Sequence, residues 1–271
     1  MYYLVGYNLM YDGVDGGYIG SFSMFDRSSE VDLETGYAAA SDWYFQMVFV
    51  ATTASIVSGA LAERILIWPF FLFTAILTAF IYPIAGSWQW GGGWLSEMGF
   101  SDFAGSTLVH SVGGYAALAG AILLGARDGK YSADGKVNVI GGCSLPMTTL
   151  GVFILWLGWF GFNGGSQLAL GSGADATAVA DIFVNTNLAA AGGVLACMIV
   201  SKATNSHTNI AATLNGAIAG LVAITAEPLT PSMGQAVIIG AIGGIICMYG
   251  MKLLDMLKID DVVGAIPAHL F

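Results

Sequence analysis

The chain of 271 residues is 56% hydrophobic and only 10% charged, and its formal net charge is −10. Because soluble domains carry about 25% charged residues, this composition excludes an ordinary soluble enzyme. The negative net charge disfavours nucleic acid and other anionic ligands as partners.

Seven long runs of the sequence contain no charged residue. Each reaches the roughly 20 residues that a membrane-spanning helix needs. The runs are residues 43–62, 65–96, 103–126, 137–174, 182–201, 203–226 and 228–251. We therefore predict an all-α, polytopic membrane protein with about seven full spans, organised as a single transmembrane domain over residues 1–271.

The basic residues divide unevenly between the two sides of the predicted membrane. With alternating spans, seven fall on one side: Arg64, Arg127, Lys130, Lys136, Lys202, Lys252 and Lys258. Only Arg27 falls on the other side, so the positive-inside rule places the seven in the cytoplasm. The acidic stretch from Tyr11 to Asp42 is then an outer loop. We interpret it as a solvated face, with a mild attraction for cations at the outer mouth as the alternative.

Apolar fragments occupy both ends of the chain, at residues 1–11 and from residue 262 onward. The chain is expected to begin inside one helix and to stop inside another, which is typical of a truncated gene product or a fragment. Met1 is followed at once by apolar residues without a basic region, so no secretory signal is predicted. Cys143, Cys197 and Cys247 are widely spaced in apolar runs, and we expect three small core residues.

Two histidines lie in uncharged, apolar surroundings. They are His110, in the third charge-free run, and His269, in the last apolar fragment. An ionisable ring at membrane depth is by default functional and faces a pore or cavity. His207 lies in the polar stretch 204–209 and is expected to be an exposed loop residue.

Several aromatic and acidic residues precede or accompany these histidines. Trp90 comes before three glycines in an outer segment, where it is either an interfacial anchor or a cation-π platform. Asp102 opens the helix that carries His110 eight residues later, and a carboxylate there caps exposed N–H groups. Phe45 and Phe49 share a helix face, and spacing alone leaves core packing and a pore gate both open. The same holds for the aromatic residues of 158–163.

Glycine is abundant, with 38 residues, and many glycines lie inside the predicted spans. Small residues allow helices to approach closely in lipid. Close packing, rather than ligand binding, is therefore the expected role of most of them.

Taken together, several segments resemble the ammonium transporters of the Amt/Mep/Rh superfamily, and within it the Amt branch. These segments are Phe45-Gln-Met-Val-Phe49, Ser58-Gly-Ala-Leu-Ala-Glu-Arg64, Trp90-Gly-Gly-Gly93, Asp102-Phe-Ala-Gly-Ser-Thr-Leu-Val-His110, Gly158-Trp-Phe-Gly-Phe-Asn163, Phe183-Val-Asn-Thr186 and Gly216-Ala-Ile-Ala-Gly-Leu-Val222. They occur in the family's order and at its spacings, and they cover nearly the whole chain. One departure is Ala268-His269-Leu270, where the family more often has Val-His-Gly.

The resemblance implies a fold of eleven helices in two inverted five-helix repeats, with one pore in each subunit of a homotrimer. Transporter sites form near the midplane between such repeats. By this resemblance the chain lacks the first helix, part of the second, and most of the tenth onward.

The resemblance also implies a role for each site residue. His110 and His269 would be twin histidines that line a hydrophobic pore. Phe49 and Phe162 would form a stacked gate above them, and Trp159 and Phe45 would line the pore. The outer recruitment site for ammonium would comprise Trp90, Phe49 and Ser166, with Asp102 supporting it electrostatically.

The implied function is transport of ammonium or ammonia across the cell membrane, with methylammonium as an analogue. The ion would be recruited outside, deprotonated near the gate and passed on as neutral ammonia. No cofactor, metal or enzymatic activity is expected. Beside the lipid bilayer, the resemblance implies a PII-type regulator as a partner of the full-length protein.

Three alternatives remain open at this stage. An ammonium sensor of the same fold would couple binding to a cytoplasmic partner. A haem-binding electron carrier would use His110 and His269 as axial ligands. A non-functional truncated copy would carry the same motifs without activity.

Overall fold

The computed structural model describes residues 1–26, 36–205 and 207–271. Within these ranges the chain is helical, and an isolated antiparallel bridge joins Tyr131 to Val137. The helices are α1 (Tyr7–Tyr11, after a π-helical turn at Tyr2–Gly6), α2 (Ala39–Leu61), α3 (Ile67–Ser87), α4 (Trp94–Glu97), α5 (Ser106–Leu124), α6 (Leu145–Gly165), α7 (Gly173–Asn205), α8 (Ile210–Thr225), α9 (Met233–Met256) and α10 (Ala265–His269). The predicted all-α fold is confirmed.

In the described part of the chain, six helices are long and apolar enough to cross a membrane, namely α2, α3, α5, α6, α7 and α9. The prediction of about seven full spans agrees with these six helices except at one charge-free run. The run 203–226 contains α8, which has only 16 residues. At about 1.5 Å per residue α8 is roughly 24 Å long, shorter than a hydrocarbon core of about 30 Å. The helix is short because it begins only after Asn209, whose side chain accepts a hydrogen bond from the backbone N–H of Ala212.

Polar side chains at the helix starts fix several of these boundaries. The first N–H groups of a helix have no partner within the helix, and a side-chain oxygen can accept from them. Ser144 does so for α6. Ser232 and Gln235 form a capping box at the start of α9, in which each side chain accepts from the backbone N–H of the other.

Glycines allow α7, α8 and α9 to pack against one another at close range. A methyl group placed on Gly240 of α9 would lie 1.9 Å from the carbonyl oxygen of Ala189 in α7. One on Gly193 would lie 2.1 Å from the carbonyl oxygen of Gly216 in α8. Any side chain at these positions would push the helices apart, so close packing is the role of these glycines.

The short helix α10 lies at the junction of several longer helices. It packs against α8, α5, α9 and α2. Ile266 on α10 is fully buried in a core cluster that includes Val57 of α2 and Ala117 of α5. These contacts place the last turn of α10, which carries His269, beside the helix that carries His110.

The structure tests part of the prediction that seven basic residues lie on one side of the bundle. Arg64 and Arg127 contact the same carboxylate, that of Asp260. Lys130, Lys252 and the exposed His207 line a single cavity. We call the end of the bundle that carries these residues the basic end. Arg27 and the centre of the predicted acidic loop lie outside the described residues.

The prediction of three core cysteines was wrong for one of them. Cys197 and Cys247 are buried, whereas Cys143 is exposed. Cys143 belongs to the non-helical segment between α5 and α6, two residues before α6 begins. An apolar run without charges therefore did not guarantee burial along its whole length.

Candidate functional site

The two histidines meet inside the helical bundle. Nδ1 of His110 lies 3.0 Å from Nδ1 of His269, and the two rings are stacked with centroids 5.1 Å apart at an interplanar angle of 17°. His110 is fully buried on α5, and His269 ends α10. The two residues are 159 positions apart in uncharged segments of the sequence, and the fold brings their rings into hydrogen-bonding contact.

Aromatic rings cover the other side of His110. The indole of Trp159 stacks on the imidazole with centroids 5.0 Å apart and an angle of 9°. Phe162, one turn further along α6, lies 5.3 Å from the same imidazole. The imidazole is therefore held between Trp159 and His269, which limits its rotation.

Both histidines border a cavity of about 530 Å³. Its walls are mostly apolar, and they include Phe45, Phe49, Trp159 and Phe162 together with Ile56, Ile154, Leu155 and Ala265. We call this space the inner cavity. Besides the two imidazoles, Thr52 and Ser55 contribute hydroxyl groups to the lining.

Phe49 and Phe162 come together as the resemblance implied, but with a different geometry. Their centroids are 4.5 Å apart and their planes meet at 88°, so the rings pack edge to face. The expected stacked arrangement is therefore wrong. Edge-to-face packing is a favourable arrangement because the positive edge of one ring meets the negative face of the other. Phe45 packs against Phe49 in a similar way, with centroids 4.7 Å apart at 73°.

A second cavity of about 410 Å³ contains the residues expected to recruit ammonium. Trp90, Ser166 and Asp102 all contribute to its lining. Phe49 and Phe45 line both this cavity and the inner cavity. We call the second space the outer cavity, and Phe49 forms part of the partition between the two.

The rings of Trp90 and Phe49 lie beside each other in the outer cavity, with centroids 5.4 Å apart. The indole N–H of Trp90 donates to the backbone carbonyl of Asp102 over 2.8 Å, which fixes the indole plane. The hydroxyl of Ser166 donates to the carbonyl of Phe162. The oxygen lone pairs of Ser166 are therefore left to accept a hydrogen bond from another group.

Asp102 caps α5, as its position in the sequence predicted. One carboxylate oxygen accepts from the N–H groups of Gly105 and Ser106, and the other from those of Thr107 and Leu108, at 2.8–3.1 Å. The side chain is 1% exposed. Burial raises the pKa of Asp102, and the four N–H donors act against that rise. Its carboxylate is thus occupied by the protein itself.

Sequence reasoning missed an equivalent cap at the start of α10. The carboxylate of Asp261 accepts from the N–H groups of Val263, Gly264 and Ile266. Burial raises the pKa of Asp261, and these N–H donors oppose the rise. The signal was present in the sequence, because both segments read Asp-x-x-Gly-x-x-x-x-His. The shared glycines, Gly105 and Gly264, both have left-handed backbone angles, with φ of 98° and 80°.

A buried polar network that the sequence analysis did not assign holds Trp159 in place. The indole N–H donates to the hydroxyl of Thr225 over 2.8 Å. Thr225 lies 3.1 Å from Oδ1 of Asn163, and the amide of Asn163 donates to Thr186. Asn163, Thr186 and Thr225 are each 0% exposed. The motif residues Asn163 and Thr186 therefore act by fixing the aromatic wall behind His110.

A charged cluster at the basic end anchors the segment that leads into α10. Asp260 is fully buried and receives the guanidinium of Arg127 at 2.8 Å and that of Arg64 at 3.2 Å. Burial acts to raise the pKa of Asp260, but the hydrogen bonds and charges of the arginines outweigh it and hold the pKa below its ordinary value. Arg127 also pairs with Glu63 over 2.7 Å. The ends of α2 and α5 are in this way tied to the residue next to Asp261.

The contact between the two histidines bears on the haem alternative. No group of three or more metal-ligating side chains occurs among the described residues. The imidazoles of His110 and His269 are in direct contact through Nδ1 and stack on each other. A porphyrin cannot lie between rings in this arrangement, so these residues do not fit the haem alternative.

The family model for the Ammonium Transporter Family matches residues 1–271 of the chain. The chain belongs to this family. A putative ammonium transporter of Synechocystis sp. is 46% identical over 273 residues, which cover 99% of this chain and 61% of that protein. Ammonium transporter Amt2 of Archaeoglobus fulgidus is 44% identical over 280 residues, which cover 100% of this chain and 58% of that protein.

Solved structures of Amt and Mep proteins have the same fold. A structure titled "Sensor Amt Protein" superposes with a TM-score of 0.92 at 41% identity, over 99% of this chain and 67% of that one. Mep2 of Candida albicans superposes with a TM-score of 0.88 at 33% identity, over 99% and 59%. The chain thus spans about three fifths of the length of the curated relatives that it matches.

Proposed function

We propose that this family member transports ammonium across a membrane by recruiting the ion in the outer cavity, removing a proton near Phe49 and Phe162, and passing ammonia through the inner cavity. One observation carries the proposal. The hydrogen-bonded pair of His110 and His269 borders a mostly apolar cavity that Phe49 separates from an aromatic and acidic outer cavity.

Recruitment rests on the neighbouring rings of Trp90 and Phe49. A cation over an aromatic face gains about 0.5–2 kcal/mol, more where water is displaced. Ser166 supplies a hydroxyl oxygen that can accept an N–H of the ion. Asp102 does not contact the ion directly in this proposal, since four backbone N–H groups donate to its carboxylate. Its charge supports the site at a distance.

Deprotonation follows from the composition of the inner cavity. An unpaired charge in an apolar environment costs many kcal/mol relative to water. An ammonium ion avoids that cost by giving a proton to water in the outer cavity and continuing as neutral ammonia. In this proposal the proton crosses separately along the imidazole pair of His110 and His269, so that net charge moves with the ammonia. Potassium is a cation of similar size to ammonium, but it has no proton to release. It would therefore meet the full desolvation cost. This difference is the proposed source of selectivity.

The twin histidines give ammonia hydrogen-bonding partners in an otherwise dry passage. A neutral imidazole has one donor and one acceptor nitrogen. Because the Nδ1 atoms of His110 and His269 bond to each other, the pair can also relay a proton. Trp159 and Phe45 form walls of the same passage.

The proposal extends to the setting in which the protein works. The family is one of multi-pass membrane proteins, and we propose the cell membrane as the location, with the basic end in the cytoplasm. A homotrimer with one pore in each subunit, and a PII-type regulator acting from the cytoplasm, belong to the same proposal.

An ammonium sensor of the same fold is the alternative function. It is motivated by the likeness to a structure whose title names a sensor. The curated relatives at 46% and 44% identity are named as transporters and do not favour it. A sensor would bind ammonium in the outer cavity without sustained flux.

Current through reconstituted liposomes tests the proposal. Wild-type protein should give an ammonium-dependent current that methylammonium also drives and potassium does not. His110→Ala should lose most of the current or become permeable to potassium. A folded, trimeric wild type that binds ammonium but passes neither ammonium nor ammonia, the latter followed as a change in internal pH, would overturn transport in favour of sensing.

A further inference from the structure

The outer cavity has a polar wall that the aromatic recruitment site does not use. Gln46, Gln89 and Tyr11 are among the residues that line it. Their side-chain oxygens are buried without a hydrogen-bond partner among the described residues. Gln46 is 8% exposed. Buried acceptors are normally satisfied, so three unused oxygens around one cavity indicate that a ligand with several donors completes them.

Asp42 supplies a negative charge beside these oxygens. It lies one turn before Gln46 on α2, a spacing that puts both side chains on the same helix face. Asp42 lines the outer cavity and accepts a hydrogen bond from the hydroxyl of Tyr7. The side chain of Gln46 also donates to Asp42. Two hydrogen bonds still leave a carboxylate with further acceptor capacity.

No basic side chain balances Asp42 among the described residues that line the cavity. The other carboxylate there, on Asp102, is occupied by four backbone N–H groups. The polar wall therefore combines one carboxylate with two amide oxygens and a phenol oxygen. This is a set of hydrogen-bond acceptors with a net negative charge.

We propose that Asp42, Gln46 and Gln89 form a second cation subsite in the outer cavity, which binds ammonium through its N–H groups before the ion reaches Trp90 and Ser166. This inference rests on the proposed transport function. Ammonium is a small cation with four N–H donors, and it matches a wall of acceptors better than a cation with fewer donors does.

The size of the outer cavity fits a partly hydrated ion. A water molecule takes about 30 Å³ in the liquid, so a cavity of about 410 Å³ holds ammonium together with several waters. The subsite exchanges some of those waters for protein oxygens. The aromatic rings of Phe49 and Trp90 then receive an ion that has already lost part of its hydration shell.

The chemistry of the subsite differs from that of the aromatic site in one measurable respect. Each methyl group on the ion removes an N–H donor, which weakens binding to oxygen acceptors but not the cation-π attraction. The subsite therefore raises the preference for ammonium over methylammonium. Its loss should lower that preference.

The test uses Asp42→Asn, Gln46→Leu and Gln89→Leu in the protein reconstituted in liposomes. Asp42→Asn keeps the shape of the side chain and its contact with Tyr7. We expect each variant to raise the half-saturating ammonium concentration about fivefold to tenfold, with the maximal current kept within twofold. The fold-increase in the half-saturating concentration of methylammonium should be less than half of the fold-increase for ammonium. Glu97→Gln, which removes an exposed acid that does not line the cavity, should change neither value.

Direct binding of ammonium to purified protein in detergent, followed by titration calorimetry, separates the two proposals. Weaker binding in Asp42→Asn than in wild type supports the subsite even if no variant carries current. Unchanged half-saturation and unchanged binding in all three folded variants would overturn the subsite while leaving transport intact. A wild type without current contradicts the transport proposal instead. If Glu97→Gln raised the half-saturating ammonium concentration as much as Asp42→Asn, the effect would come from general surface charge. That result would also overturn the subsite.

Discussion

His110 and His269 contact each other through the same ring atom, Nδ1, at 3.0 Å. Only one of two facing nitrogens can carry the shared proton, so the neutral rings must be opposite tautomers. One ring has its N–H at Nδ1 and the other at Nε2. The pair is thus asymmetric in its protons although its rings are alike.

The Nδ1 contact predicts which substitution of His269 is tolerated. Asn places its amide atoms where Nδ1 of histidine lies, whereas Gln places them near Nε2. His269→Asn should keep the hydrogen bond to His110 and retain ammonium current within about fivefold, while His269→Gln should lose more than tenfold. Current in liposomes measures both. His207→Asn is the matched control on an exposed loop, and equal losses in the two His269 variants would contradict the importance of the Nδ1 contact.

Asp261 is predicted to stabilise α10 as Asp102 stabilises α5. Asp261→Ala removes an acceptor from three backbone N–H groups and should cost about 1–2 kcal/mol of unfolding free energy. The midpoint of thermal unfolding in detergent should fall by a few degrees. Asp128→Ala, at an exposed loop position, serves as the control. An unchanged midpoint in Asp261→Ala would show that the cap is dispensable.

The buried carboxylate of Asp260 should matter far more than the exposed one of Glu63. Asp260→Asn removes the ion-pair partner of the partly buried Arg64 and leaves Arg127 with only the exposed Glu63, and breaking such a buried pair costs about 3–5 kcal/mol. Glu63 is 57% exposed, so Glu63→Gln should cost less than about 1 kcal/mol. Unfolding of both variants in denaturant measures the difference, and similar values for the two would contradict the burial argument.

The pH dependence of Asp260 has a definite sign. The pKa of Asp260 is lowered in the folded protein. Its contribution to the free energy of unfolding is therefore complete above the unfolded-state pKa of about 3.9. The contribution is lost as the pH falls through the lower folded value. The stability advantage of wild type over Asp260→Asn should therefore shrink on acidification below about pH 4. An advantage that is independent of pH would contradict the lowered pKa.

Thr225 is predicted to control the wall behind His110. Thr225→Val removes the hydroxyl that links Trp159 to Asn163 and leaves buried groups unpaired, at a cost of about 1–3 kcal/mol. Freed from this bond, the indole should loosen against His110, and ammonium current should fall while potassium leak rises. Thr148→Val, on an exposed position of α6, is the control. Unchanged current and stability would show that packing alone holds Trp159.

Much of the architecture follows from two simple patterns in the sequence. Charge-free runs located every long helix, and the position of Asp102 identified the cap of α5. The exception is α8, where a charge-free run long enough for a span contains a helix of only 16 residues, because Asn209 starts the helix late. Hydrophobicity sets where helices lie in the membrane, whereas polar caps set where they begin.

The site was only partly predictable because its cavities form between segments that are far apart in the sequence. The spacing of Phe45 and Phe49 left packing and gating open, and only the fold shows that Phe49 borders two cavities. Asp42 was assigned to a solvated loop, yet it begins a helix face that lines the outer cavity. The cap at Asp261 could have been found by comparing the two histidine segments with each other. Cavities depend on contacts between distant segments, and a local pattern does not report them.

The position of His269 beside the inner cavity depends on charges that lie outside the apolar part of the bundle. Asp260 is held by Arg64 and Arg127, and the next residue, Asp261, holds the first turn of the helix that ends at His269. His269 lies only eight positions after Asp261. A shift of the α2 or α5 ends at the basic end would therefore be transmitted directly to one of the two imidazoles, so this ion-pair cluster is a mechanical link between the basic end and the inner cavity.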